Sequence, residues 1–217
     1  MSFISTAIPT NVFAMSNDIN NRKALFVKKY AGIDLISKDF DRRKMTDEEL
    51  AAYNDLLEIM YLENKTIANE EGYSKEEYIQ VAENILNQKS FLGQHSRNSV
   101  TFYSTYSTSH GLISTKMLGG ILNGVITATL LVTGVASIGE LIKKMGKEAA
   151  KEWVEKYVKK AIVNKLTAIG LGSFGIYVGN IIKGIVDAYL DPGGWLAERI
   201  DGVDRIPNNG YIELWGI

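Results

Sequence analysis

The chain has 217 residues, 46% of them hydrophobic and 23% charged, with a net charge of −1 and no cysteine. A balance so near neutral argues against general nucleic-acid binding, which draws on a basic excess. The absence of cysteine excludes a disulfide framework, a thiol nucleophile and a thiolate metal site.

The length allows one large domain or two small ones. Charge is uneven along it: residues 1–110 carry 12 Lys/Arg against 15 Asp/Glu, and residues 111–217 carry 12 against 10. The opening Met1–Thr10 has no positive region ahead of its short apolar run, so no cleaved secretory signal is expected.

A first helix is predicted over 17–31, capped by Asn or Ser near residue 16, with Ala24, Leu25 and Val27 as apolar contacts. Thr46-Asp47-Glu48-Glu49 is a capping box between the staple residues Met45 and Leu50, and it predicts a helix with Leu50, Tyr53, Leu57 and Met60 on one face. Ser74-Lys75-Glu76-Glu77 repeats the device, flanked by Tyr73 and Tyr78. It leads into Tyr78, Val81, Ala82, Ile85 and Leu86 at helical spacing. Between residues 93 and 116 the chain becomes hydroxyl-rich and aromatic, which fits an extended linker or a short strand pair.

Met117–Gly139 is a run of 23 residues without a charge, and Leu166–Ile182 is a second of 17. As helices they would measure about 35 and 26 Å, against a hydrocarbon core of about 30 Å. Between them Glu140–Lys165 holds eight Lys and four Glu. Asp191-Pro192-Gly193-Gly194 reads as a helix stop before a polar tail. The expected class is therefore mainly α: a helical bundle with an apolar glycine-rich helical hairpin joined by a long basic amphipathic helix. Its regions are a soluble helical part (1–98), a polar linker (99–116), the hairpin with its connector (117–190) and the tail (191–217).

Gly170-Leu-Gly172-Ser-Phe-Gly175 satisfies the dinucleotide-binding pattern GxGxxG, and Asp187 and Asp191 follow at a plausible distance for a ribose-binding acid. Only 42 residues follow Gly175, too few for the strand–helix units that such a fold requires. Close helix packing explains these glycines better. Ala168, Gly172, Gly175 and Gly179 make one small-residue face, and Gly120, Gly124 and Ala128 make another. A tightly packed core hairpin would use the same residues.

Asn123, Thr127 and Ser137 align on the first apolar segment, and Ser173, Tyr177 and Asn180 on the second. Such stripes fit either the lining of a narrow aqueous path or ordinary hydrogen bonding between helices. The connector presents Lys143, Lys144, Lys147, Lys151, Lys156, Lys159 and Lys160 with Trp153 and Tyr157, and Glu152→Lys156 and Glu155→Lys159 are favourable pairs. A solvated helix face looks like this, and so does an interfacial helix drawn to anionic lipid.

Catalytic signals are poor. His95 and His110 lie in or beside the polar linker without metal-like spacing, and Asp34, Asp39 and Asp41 sit among Arg42, Arg43 and Lys44 as a solvated charge patch. Asp201, Asp204, Asn208 and Asn209 lack calcium-loop spacing. No enzyme activity, cofactor or metal is expected.

Met117–Gly139, the Lys-rich Glu140–Lys165 and Leu166–Ile182 together make about a third of the chain. Their architecture resembles that of pore-forming antibacterial toxins, both colicin channel domains and small pore-forming effectors delivered by type VI secretion. The connector is longer than a colicin hairpin tip, there is no family signature, and no functional residue carries over. The resemblance implies a protein made in a bacterial cytoplasm and exported without a cleaved signal. Such a protein would oligomerise in the lipid bilayer of a target cell's inner membrane and depolarise it, and a cognate immunity protein would neutralise it in the producer. A resident non-toxic or holin-like membrane protein, or a soluble helical interaction protein with the hairpin as core, stays open on the same residues.

Overall fold

The computed structural model describes residues 10–87 and 113–213, with side chains from residue 18 onward. The protein is mainly α, a packed helical bundle. α1 (Thr10–Tyr30) is followed by a loop and a 3-10 turn, Arg42–Lys44, then by α2 (Asp47–Glu70) and α3 (Lys75–Asn87). β1 (Ile113–Ser114) leads into α4 (Thr115–Leu131), α5 (Ile138–Met145), α6 (Lys147–Trp153), a π-helical turn (Val154–Val158) and α7 (Lys159–Ala168). α8 (Gly175–Ile181) lies between two 3-10 turns, and α9 (Pro192–Asp201) precedes β2 (Tyr211–Ile212). β1 and β2 pair antiparallel, Ile113 opposite Ile212.

The two capping boxes form as their residues dictate. Thr46 Oγ1 accepts from Glu49 N and Glu49 returns the contact to Thr46 N at 2.8 Å, and Ser74 and Glu77 do the same. The α2 residues Tyr53, Leu57 and Met60 and the α3 residues Tyr78, Ala82, Ile85 and Leu86 are buried. On α1 the buried face is Phe26, Val27 and Tyr30, whereas Ala24 and Leu25 face water. α1 starts earlier than its periodicity suggested, and its capping residues lie outside the described side chains. Most of the 93–116 segment, with His95 and His110, lies outside the described residues.

α4 is apolar around most of its circumference, and a helix of that kind has to be covered on most sides. Fifteen of its 17 residues are buried. α2 and α9 pack directly on it, and a single core cluster runs from Phe26 through α4 to Ile212.

The expected hairpin of two long helices is not what forms. The 23-residue run breaks after Leu131, where Gly134 takes φ of 68° and Ser137 caps a new helix by accepting from Glu140 N at 3.2 Å. Glu140 in turn accepts from Ala136 N at 2.8 Å, so a local capping arrangement outcompetes continued helix. The second run breaks at Gly170, φ 85°, where Leu171 N donates back to Leu166 O at 2.7 Å. Among the described residues no helix is long and apolar enough to cross a membrane.

The connector is likewise divided, at Gly146, which has φ of 83°. Beyond it α6, the π turn and α7 follow one another without a gap, burying Ala150, Val154, Val158, Ala161, Ile162, Lys165 and Leu166. Asp191-Pro192 is a helix start and not a stop: Asp191 Oδ1 accepts from Gly194 N at 3.0 Å with proline at the first position. The tail therefore contributes a core helix.

Candidate functional site

The centre of interest is α4 with the groups that hold it. Gly119 faces Gly193 and Gly194 of α9 so closely that a Cβ at Gly119 would come 2.9 Å from the Gly194 Cα. Gly120 gives way to the Asn64 side chain of α2 and Gly124 to Met60. Gly120 and Gly124 are thus used for close approach to α2, and Ala128 is buried. The other face goes elsewhere: Gly172 lies by Thr167, Gly175 by Val163 and Gly179 by Lys159, all on α7, and Ala168 ends that helix. The two small faces do not meet.

A polar clasp joins α4 to α9. Asn123 donates Nδ2 to Asp191 Oδ1 at 2.8 Å and accepts from Gly193 N, also at 2.8 Å. At the other end of the contact, buried Thr115, the first residue of α4, donates to buried Asp201, the last of α9, at 3.0 Å, and Asp201 also accepts from Asn209 N and Gly210 N. Gly119, Gly193, Asp191, Thr115 and Asp201 are absent from the residues singled out by periodicity. The Asp-Pro-Gly-Gly sequence was the one available signal, because it is a cap as well as a breaker.

The first polar stripe opens on a cavity. Asn123, Thr127 and Ser137 line a space of about 660 Å³ together with Lys23, Glu63 and Tyr189. The second stripe does not reach it: Ser173 and Asn180 are exposed and Tyr177 half-buried on α8. No family model, curated protein or solved structure matches the chain. Its chemistry is therefore argued from these side chains alone.

The basic face is partly neutralised from within. Lys147 pairs with Asp187 at 2.6 Å, Lys151 with Glu148 at 3.3 Å, and Lys144 donates to Thr133 O. The expected pairs within the connector are replaced, since Glu152 and Glu155 both turn to Lys183, at 3.0 and 2.6 Å. Mutual attraction raises Lys183 and lowers Glu155 from their ordinary pKa values. Lys143, Lys156, Lys159 and Lys160 make no ion pair among the described residues. Trp153 and Tyr157 stack with ring centres 5.1 Å apart beside them.

The GxGxxG residues form the turn after α7, a 3-10 turn and the first residue of α8, so a helix and not a strand precedes them. In the acidic loop Asp39 pairs with Lys44 at 3.0 Å and Asp41 with Arg43 at 2.9 Å. Asp41 is held at about 2 by its bonds to Arg43. Among the described residues no group of three or more acidic or histidine side chains is placed to hold a metal.

Proposed function

We propose that this chain is a membrane-inserting pore-forming toxin or effector that depolarises a bacterial inner membrane by passing small ions. The observation that carries the proposal is α4, a charge-free helix from Met117 to Leu131 in which every residue but Asn123 is buried. Leu118, Ile121, Leu122, Val125, Ile126, Leu130 and Leu131 are buried in it. Exposing these seven side chains to water would cost on the order of 10–20 kcal/mol, more than the net stability of about 5–15 kcal/mol typical of a domain. α4 can leave its core only for another apolar phase, and a bilayer is one.

In this reading the π turn and α7 dock through Lys156, Lys159 and Lys160, the α4–α9 clasp opens, and α4 extends through 132–139 as it inserts. Copies then associate through the freed glycines, and ions follow Asn123, Thr127 and Ser137. An immunity protein would protect the producing cell. Expression in a bacterial periplasm tests this: membrane potential should collapse without release of large molecules. An undisturbed potential, with the protein shown to be present there, sinks the proposal.

The interruption of both apolar runs favours a second reading, in which α4 is a permanent core of a helical interaction protein. A monomeric, detergent-free preparation that ignores liposomes would support that reading.

A further inference from the structure

A second cavity, of about 600 Å³, lies at the far end of α4 from the clasp, within the size range of small-ligand clefts. Three segments distant in sequence build it. The loop after α1 brings Asp34 and Asp39, the end of α4 brings Val132, and the outer face of the α6–α7 helix brings Trp153, Lys156, Tyr157 and Lys160. Its charges are sorted by wall, with carboxylates on the loop and ammonium groups on the helix. The aromatic pair and Val132 add an apolar lining, and Val132 is 47% exposed.

The charged groups are only lightly committed. Lys156 lies over the Tyr157 ring, 5.1 Å from its centre, and Lys160 makes no ion pair among the described residues. Asp34 accepts from Ser37 N at 3.0 Å and makes no ion pair among the described residues. Asp39 is shared with Lys44. A purely anionic ligand would meet repulsion from the loop wall, and a purely cationic one from the helix wall. A ligand carrying both charges, a few bonds apart, satisfies both walls. One that also carries an apolar stem covers Val132 and Trp153.

We propose that this cavity binds the headgroup of a zwitterionic aminophospholipid of a bilayer, with the phosphate at Lys156 and Lys160 and the ammonium at Asp34 and Asp39. The acyl stem then runs past Val132 and Trp153, where amphipathic aromatics favour the membrane interface. The inference rests on the membrane-active reading above and names the lipid class that the docked face recognises. It differs from docking by basic charge alone, which would prefer anionic lipid.

The test uses dihexanoyl phosphatidylethanolamine below its micelle concentration, followed by tryptophan emission, so that neither a bilayer nor insertion is needed. Saturable binding is expected, at least tenfold tighter than for dihexanoyl phosphatidylglycerol. The Lys156→Ala/Lys160→Ala double variant should weaken it tenfold or more, and Asp34→Asn should erase the preference between the two lipids, with circular dichroism confirming that both variants fold. Equal or tighter binding of the phosphatidylglycerol overturns the proposal, and so does an unaffected double variant. Free phosphoethanolamine binding as tightly as the lipid also overturns it. Vesicles with and without phosphatidylethanolamine separate the two ideas. Monomer binding without ion flux at any composition keeps the site and sinks the pore, whereas flux indifferent to phosphatidylethanolamine keeps the pore and sinks the site.

Discussion

Lys165 is the most heavily buried cation among the described residues, 8% exposed at the end of α7. Its Nζ donates to the Leu86 carbonyl near the C-terminus of α3 and lies 5.2 Å from the centre of the Phe40 ring. Burial outweighs the attraction of Asp39 and lowers its pKa from 10.5 to about 8. Between these values the unfolded chain holds this proton more tightly than the folded one, so stability rises with pH through that window. Below pH 8 both states carry the charge and the gain is gone. Burial pushes Tyr53 and Tyr78 the other way, so that above about pH 10 the unfolded tyrosines ionise first and stability falls again. Urea midpoints should therefore climb from pH 8 to 10, by about 1–3 kcal/mol in stability, and then decline. Lys165→Met should abolish the climb and leave the decline. A climb that survives in the variant would assign it to another group.

At the scale of elements, α9 decides whether α4 is free. Their contact is made by backbone at Gly119, Gly193 and Gly194, and by the hydrogen bonds of Asn123 with Asp191 and Gly193. Cysteines at Asn123 and Asp191 would be unique in this chain, and oxidation would lock the two helices together. The locked protein should pass less than a tenth of the ion flux into liposomes, with full recovery on adding dithiothreitol. Equal flux in both states would show that α4 does not part from α9. The capped helices α2 and α3 were legible because Thr46/Glu49 and Ser74/Glu77 act within one turn. The breaks at Gly134 and Gly170 were harder to read, since a glycine in an apolar run suits a packed helix as well as a turn. α9 is hidden in the sequence because Asp191-Pro192-Gly193-Gly194, which caps it, reads equally well as a helix stop. The stripe of Asn123, Thr127 and Ser137 was found by spacing, but its cavity depends on Lys23, Glu63 and Tyr189, which only the fold brings there.

Taken whole, the molecule places its least polar helix at the centre, and the lysines that make no ion pair among the described residues lie toward the outside. Composition alone conceals this arrangement, because a net charge of −1 averages two unlike halves. The turn after α4 then acquires a meaning for bilayer thickness. Alone, α4 would span about 25 Å, and straightened through Gly139 about 38 Å. Were α4 to insert as proposed, hydrophobic mismatch would act on this one turn: short acyl chains would tolerate the bend and long ones would favour removing it. Gly134→Ala, at φ of 68°, should cost the folded protein about 1 kcal/mol while favouring the straight form. Its flux should exceed that of the parent most in long-chain vesicles, and a uniform effect across chain lengths would separate the turn from spanning. The same six or so residues that keep the protein compact in water would thus act as its gauge of membrane width.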